Sequence, residues 1–317
     1  MKLIVMIPCL NEEQTLPLVL ADIPSQIDGV DSIETLIIDD GCIDGTVDLA
    51  RSLGVRHFVH HLKNQGLSRS FRDGLNRALE LGADIIVLTD GDNQYKQERI
   101  PDLIRPILDG KADTVIADRE TQTIEHFSLM KKFLQKLGTW VLNKAAGTTV
   151  PDATSGFRAY SRKAAMDLNV IAEYSFATET TIQAAHKHHA IAYVAIPTNE
   201  KLRESRQFKS NWEHVRRSSV TIIRAFIMHK PYTVFLSLGF SFLILGLAPF
   251  VYVVWMALTH DNWLIFGPQH IRSLVVGTVL LVAAFISFTL GIVADLVRIN
   301  RLLLEDVLDY VKRIKME

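Results

Sequence analysis

Up to residue 120 the chain alternates short, unbroken apolar runs with longer stretches whose apolar residues recur every three or four positions. The runs are "KLIVMIP", "ETLIID", "RHFVHH", "ADIIVLTD" and "ADTVIAD". Between them lie "NEEQTLPLVLADI", "GTVDLARSLG", "GLSRSFRDGLNRALELG" and "RIPDLIRPILDG". The runs predict strands and the intervening spacing predicts helices. The strands are apolar throughout rather than alternating, so both sheet faces are covered. That pattern predicts a parallel sheet in an α/β fold. Such sheets bind ligands at the carboxyl ends of their strands. The polar clusters "NEE", "DDGCIDGT", "DGDNQ" and "DRE" fall at those ends.

Farther on, "HFSLMKKFLQKLGTWVLNKAAG" (126–147) places Phe127, Met130, Leu134, Leu137 and Val141 on one helical face, with Lys131, Lys132 and Lys136 interleaved. It reads first as a core-facing helix and second as a membrane-surface contact. After residue 230 the amphipathic pattern disappears. Residues 233–258 contain no charge, and 274–293 form a second apolar stretch. Each is long enough to cross a bilayer, and a hairpin buried in a soluble core is the alternative. The loop between them has one arginine and no lysine. Arg216, Arg217, Arg224 and Lys230 precede the pair, and Arg298, Arg301, Lys312 and Arg313 follow it. The positive-inside rule puts both flanks, and with them both termini, in the cytoplasm. Trp255 and Trp263 suit an aromatic belt at the outer end. Trp212, Val215, Ser219, Ile222 and Phe226 form an amphipathic stripe leading in. "LVRINRLLLEDVLDYVKRIK" is amphipathic leading out, and lipid, the soluble domain or an oligomer partner would each cover it.

The expected division is a catalytic domain over 1–210, a juxtamembrane helix over 211–230, two transmembrane helices over 231–294 and a C-terminal amphipathic helix over 295–317. A formal net charge of −1 removes any global bias toward nucleic acid. Cys9 and Cys42 are too few for a disulfide scaffold and form no C-x-x-C motif, so they read as small residues at strand ends. "MKLIVMIPCLNEE" is broken by Pro8 and followed by acids, so it reads as a strand rather than a signal peptide.

The chemistry concentrates in "DGDNQ". Asp90 and Asp92 are like charges at the end of a buried strand, and unpaired they would repel and lose hydration. With Gln94 they offer hard oxygen ligands for Mg²⁺ or Mn²⁺, the remaining positions going to diphosphate oxygens and water. Gly91 allows close backbone approach. Asp40 can accept from a nucleobase N–H or a ribose hydroxyl, while Asp44 and Thr46 suit a helix cap. The "HKHH" at 186–189 reads as a polar helix end rather than a metal cluster.

"IPCLNEE", "IIDDGCIDGT", "NQGLSRSFRDGL", "TDGDNQ" and "DATSGFRAY", in this order, resemble family 2 glycosyltransferases of the GT-A fold, and among them the polyprenyl-phosphate sugar synthases. The resemblance covers roughly residues 1–210. It implies a Rossmann-like, mostly parallel sheet and a nucleotide site lined by Pro8, Asn11, Glu12, Asp40, Asp90 and Gly91. It implies a metal on Asp90, Asp92 and Gln94. Asp92, Arg119, Arg203 and Arg206 would carry the reaction, with Lys209 a competitor for Arg206. Asp152, Ser155 and Arg158 match a segment read as scaffold ahead of acceptor binding. Cys42 stands where serine is usual, Cys9 where Thr, Tyr or Ala is common, and Gly91 where alanine is common. The Q-x-x-R-W motif of processive synthases is absent.

The implied partners are a nucleotide-diphosphate sugar, a polyprenyl phosphate such as dolichyl or undecaprenyl phosphate, and the lipid bilayer. A homo-oligomer is open. The implied reaction inverts the anomeric carbon. A phosphate acceptor is already anionic and needs little or no general base. A hydroxyl on another lipid would need one, and Glu179, read equally well as a helix-surface acid, is the spare carboxylate. The remaining alternative is a membrane adaptor that binds nucleotide without catalysis.

Overall fold

A computed structural model describes residues 1–119, 143, 151–152, 155–170, 176–199, 231–259 and 268–316. The expected helix over 126–147, the stripe from Trp212 to Phe226, Trp263 and the basic residues Arg203, Arg206 and Lys209 lie outside them, residue 143 apart.

The sheet domain runs β1 (Lys2–Cys9), α1 (Leu16–Ala21), β2 (Ser32–Asp39), α2 (Thr46–Ser52), β3 (His57–His60), α3 (Leu67–Glu80), β4 (Ile85–Leu88), α4 (Ile100–Leu108) and β5 (Thr114–Asp118). It continues with β6 (Arg158–Ser161), α5 (Arg162–Asp167), α6 (Phe176–His186) and β7 (Ile191–Ala195). The strand order is β3-β2-β1-β4-β6-β5-β7. Every pairing is parallel except those of β6, which runs against both β4 and β5. The sequence pattern does not announce β6. It is a four-residue strand, "RAYS", that opens on an arginine, so it has neither an apolar run nor a clean alternation.

The unbroken apolar runs are explained by two cores. Leu3, Val5 and Ile7 of β1 face one side, where they join Ile100, Leu103 and Ile104 of α4. Ile4 and Met6 face the other, joining Phe71, Leu75 and Leu79 of α3. Each such side chain, fully buried, stabilises the fold by about 1.5–3 kcal/mol. One consequence positions the site: because β1 to β5 and β7 all run the same way, their carboxyl ends share one edge. The amino end of the antiparallel β6 lies at that edge too.

The chain divides into two compact units, Met1–Ile223 with Glu305–Glu317, and Arg224–Leu304. The second holds α7 (Pro231–Thr259) and most of α8 (Pro268–Met316), both long and apolar enough to cross a membrane. Here α7 and α8 meet glycine to glycine. A Cβ added at Gly277 would lie 2.8 Å from the Gly246 carbonyl oxygen, so these backbones approach as closely as small residues permit.

The boundary expected near residue 294 does not exist as a break: the second apolar stretch and the C-terminal amphipathic segment form one helix. No proline or glycine interrupts 292–316, so nothing ends the hydrogen-bond ladder. From Glu305 on, the helix belongs with the sheet domain. Lys312 donates to the Leu168 carbonyl at 2.6 Å and Arg313 to Asp167 Oδ1 at 2.7 Å.

Candidate active site

Three loops at the shared edge are bound into one unit. After β1, Asn11 adopts a left-handed φ of 58° and its Oδ1 accepts the Ile43 N–H at 2.8 Å. The Asn11 N–H points to Cys42 Sγ at 3.3 Å, and the Glu12 N–H donates to Thr46 Oγ1 at 2.8 Å. After β2, Asp39 Oδ1 accepts from the Gly41 and Cys42 N–H groups, and its other oxygen faces His60. Burial alone would raise the Asp39 carboxyl. The Cys42 N–H and His60 outweigh it and hold the group below the usual range. Gly41 has a φ of 82°, and a Cβ there would sit 2.7 Å from the Asn64 nitrogen. The loops after β2 and β3 therefore cross backbone to backbone, which only glycine allows. Pro8 is the penultimate residue of β1, half-buried and opposite Ile38.

Asp40 is the rivet of this crossing. Its Oδ1 accepts the Gln65 N–H at 2.8 Å and faces His61 Nδ1 at 2.8 Å, and its Oδ2 accepts the Gly66 N–H at 2.9 Å. The carboxylate expected to read a nucleoside is thus occupied in shaping the loop that leads into α3. Asp44 accepts the Thr46 N–H at 3.1 Å, but the residue at the cap position of α2 is Gly45, so neither Asp44 nor Thr46 is the expected cap.

The "DGDNQ" segment follows β4. Asp92 Oδ1 accepts the Gln94 N–H at 3.0 Å around Asn93, whose φ is 56°. Asn199, just past β7, ties the turn down. Its N–H donates to the Gln94 carbonyl at 2.9 Å and its Nδ2 to the Asn93 carbonyl at 3.1 Å. The Asp90 carboxyl is pushed up to about 7, first by burial and then by the charge of Asp92, with Arg119 pulling the other way. The room beside Gly91, expected to admit a donor, is filled by the protein. A Cβ there would meet Glu12 Cγ at 3.2 Å and Cys9 Sγ at 3.3 Å, and the Gly91 carbonyl accepts the Thr15 hydroxyl at 2.7 Å. Gly91 lets the β1 and β4 loops close on each other.

Arg119 leaves β5 and meets Asp152 in a bidentate pair, Nε to Oδ2 at 2.7 Å and Nη2 to Oδ1 at 3.1 Å. Burial works against the guanidinium cation, but Tyr95, Asp152 and Asp90 outweigh it and hold Arg119 above its usual value. Arg158 is wholly buried and donates to the carbonyls of Ser155 and Ala177 and to the hydroxyls of Thr180 and Thr181. It pins β6 to α6, as a scaffold residue does. Glu179 corrects an expectation: it lies in the first turn of α6 but is buried, not a surface acid. His189 likewise is no exposed helix end. It is buried with its Nε2 3.0 Å from Asp167, an acid twenty-two positions upstream.

Sequence reasoning missed Tyr95, Gly156 and Asn199. The buried Tyr95 ring stacks on Phe157 and its hydroxyl accepts the Gly156 N–H at 2.9 Å. A Cβ at Gly156 would lie 3.1 Å from Asp90 Oδ2, so this glycine forms the wall against that carboxylate. An aromatic five positions past Asp90 was the only available cue.

A divalent cation fits the Asp90–Asp92 pair. Both groups are hard oxygen donors, and their mutual repulsion is relieved when a cation takes the place of a proton. Among the described residues no three His, Cys, Asp or Glu side chains converge on one point. With Gln94 as the third expected ligand, the rest of an ion's shell would come from a bound diphosphate and water.

Comparison with known proteins shows the family and the fold. Residues 4–168 match the model of glycosyl transferase family 2. The undecaprenyl-phosphate mannosyltransferase of Micrococcus luteus is 29% identical over 211 residues, covering 63% of this chain and 85% of that one. The dolichyl-phosphate hexose transferase of Haloferax volcanii is 31% identical over 198 residues, covering 62% and 82%. Among solved structures, glucosyl-3-phosphoglycerate synthase of Mycobacterium tuberculosis, in complex with Mn²⁺, uridine diphosphate and its product, superposes with a TM-score of 0.54 at 22% identity. The match covers 71% of this chain and 78% of that one, and it shows a shared fold.

Proposed function

The chain belongs to glycosyl transferase family 2, and from that premise we propose that it moves a sugar from a nucleotide-diphosphate sugar to a polyprenyl phosphate in a membrane. The observation that carries the reading is the meeting of Asp90, Asp92 and Arg119 at one edge of the sheet: two mutually repelling carboxylates beside a guanidinium. That arrangement suits a site where diphosphate and phosphate anions come together. The acceptor class is supported by the undecaprenyl- and dolichyl-phosphate enzymes among the relatives. Two helices able to cross a membrane would keep the enzyme where such a lipid resides.

In this reading residues 1–210 are catalytic, 211–230 a juxtamembrane helix, 231–294 the spanning hairpin and 295–317 a C-terminal extension. The catalytic domain and both termini are cytoplasmic, because the basic residues flank the hairpin and the intervening loop has none but Arg272. The loops carrying Pro8, Asn11, Glu12 and Asp40 would bind the nucleoside.

The chemistry asks for charge management. An oxygen of the acceptor phosphate attacks the anomeric carbon from the face opposite the leaving group. The new C–O bond forms as the bond to the diphosphate breaks, and the diphosphate departs with the electron pair. The anomeric centre inverts. No proton has to be removed from an anionic acceptor. Asp90 and Asp92, with Gln94, would hold Mg²⁺ or Mn²⁺, which stabilises charge on the departing diphosphate. Arg119, held in place by Asp152, would offset the repulsion between the two anions, and Arg203 and Arg206 would add to it.

The test is direct. Purified enzyme, Mn²⁺ and polyprenyl phosphate are incubated with a panel of nucleotide sugars, and the lipid product is identified by mass. One sugar should appear on the lipid phosphate. Asp92→Asn should lower kcat by at least ~100-fold, the scale of losing an electrostatic stabiliser. Unchanged metal-dependent transfer by that variant would overturn the mechanism.

A further inference from the structure

Tyr95 is 2% exposed, and its hydroxyl lies within the field of Arg119 and Asp90. A phenylalanine would stack on Phe157 equally well, and burying a phenol oxygen costs free energy unless that oxygen has work to do. Here it accepts the Gly156 N–H at 2.9 Å. The rest of Tyr95 is fixed independently. Its carbonyl accepts Gln97 Nε2 at 3.0 Å, and that wholly buried amide also donates to the Thr89 hydroxyl at 2.9 Å. Its backbone pairs with Thr198, beyond β7, in an antiparallel bridge. Ring, carbonyl and backbone thus engage three separate parts of the sheet domain, so the hydroxyl is a fixed point.

Asp90 lacks such a fixed point of its own. Among the described residues none donates a hydrogen bond to its carboxyl. Asp92 repels it and Arg119 attracts it, but neither force sets the plane of the group. The Gly156 backbone does. A Cβ on Gly156 would sit 3.1 Å from Asp90 Oδ2 and 3.4 Å from the Tyr95 hydroxyl oxygen, so carboxylate and phenol flank one α-carbon. Gly156 lies just before β6 rather than in it. Glycine has the freest backbone of any residue, and the Tyr95 hydroxyl is what holds the N–H of this one.

Building on the metal-dependent transfer proposed for this site, we propose that Tyr95 is a positioning residue of the metal centre: through the Gly156 N–H it fixes the wall that aims the Asp90 carboxylate at the cation. In this role the hydroxyl touches neither substrate nor metal and transfers no proton. A ligating side chain has to be held to within roughly 0.5 Å. Outer contacts that hold ligands in place are worth about 10–100-fold in metal affinity.

The experiment uses the full chain in detergent, well below the thermal midpoint of every variant. Equilibrium dialysis measures bound Mn²⁺, alone and with inorganic pyrophosphate standing in for a diphosphate. Tyr95→Phe keeps the ring and its stack, and should weaken Mn²⁺ binding about tenfold or more with an unchanged far-UV spectrum. Gly156→Ala places a methyl against Asp90 Oδ2 while the hydroxyl remains, and should weaken binding to a similar degree. Both act on one wall, so the double variant should lie within about twofold of the weaker single variant. Phe71→Leu, in the core on the other face of the sheet, should lower the thermal midpoint yet keep Mn²⁺ affinity within about twofold, since a loss of packing elsewhere does not move Asp90. Wild-type affinity in Tyr95→Phe or in Gly156→Ala overturns the inference and leaves the proposed function standing. So does an equal loss in Phe71→Leu, or a double variant in which the two losses multiply in full. Wild-type protein that binds no Mn²⁺, with or without pyrophosphate, overturns the metal-dependent mechanism and this inference with it.

Discussion

Arg119 grips Asp152 through two parallel hydrogen bonds, at 2.7 and 3.1 Å, with both side chains nearly closed to solvent. The pair joins the end of β5 to the segment leading into β6, and so aims a cation at the Asp90 cluster. Replacing Asp152 by Asn removes the charge of the bidentate partner while the guanidinium stays buried. The sheet domain should lose about 3–5 kcal/mol, read as a lower denaturation midpoint. Transfer should fall even where the variant is folded. Arg119→Lys should not restore it, because an ammonium cannot make the two-pronged contact.

The raised Asp90 carboxyl links metal and proton. A carboxyl whose folded pKa is raised contributes stability in full below its unfolded value of 3.8, and that contribution is lost as pH rises through about 7. Metal-free protein should therefore become less stable as pH rises from about 4 to about 7, and level off above that. Mn²⁺ competes with the same proton, so its affinity should rise across that interval, approaching tenfold per unit while the group is mostly protonated. Calorimetric titration of Mn²⁺ at several pH values reads the slope. Asp90→Asn should flatten it.

Glu179 separates the two acceptor chemistries. It is buried in the first turn of α6. With a phosphate acceptor no base is required, and Glu179→Gln should retain kcat within about tenfold. A loss of ~10³-fold or more would point to a hydroxyl acceptor that needs deprotonation.

Arg158 should behave as scaffold. Arg158→Lys keeps the charge but surrenders the contacts to Ala177, Thr180 and Thr181. A loss of about 3 kcal/mol is expected, lowering Tm by roughly 6–12 °C in a domain of this size. Its kcat, measured well below the new Tm, should stay close to wild type.

How much was legible beforehand differs element by element. The runs "KLIVMIP" and "ADIIVLTD" announced β1 and β4, because a strand buried on both faces must be apolar throughout. "DGDNQ" announced a cluster of carboxylates at a strand end. The hairpin glycines Gly246 and Gly277 were visible as letters, but their mutual contact was not. "RAYS" hid an antiparallel strand because its opening arginine is buried by hydrogen bonds to α6, residues near in space and distant in pattern.

The sequence by itself determined the α/β class, the parallel strands that collect acids at one edge, and two segments apolar enough for a bilayer. Each follows from local periodicity and composition, which need no knowledge of neighbours. Tertiary structure alone decided that Asp40 rivets two loops, that Gly91 makes room for Glu12 and Cys9, and that Asp152 holds Arg119. It also decided that α8 continues past the apolar stretch with one face on the sheet domain and another exposed. Those facts depend on which groups meet across the fold, and a carboxylate's role is set by its partners rather than by its place in the chain.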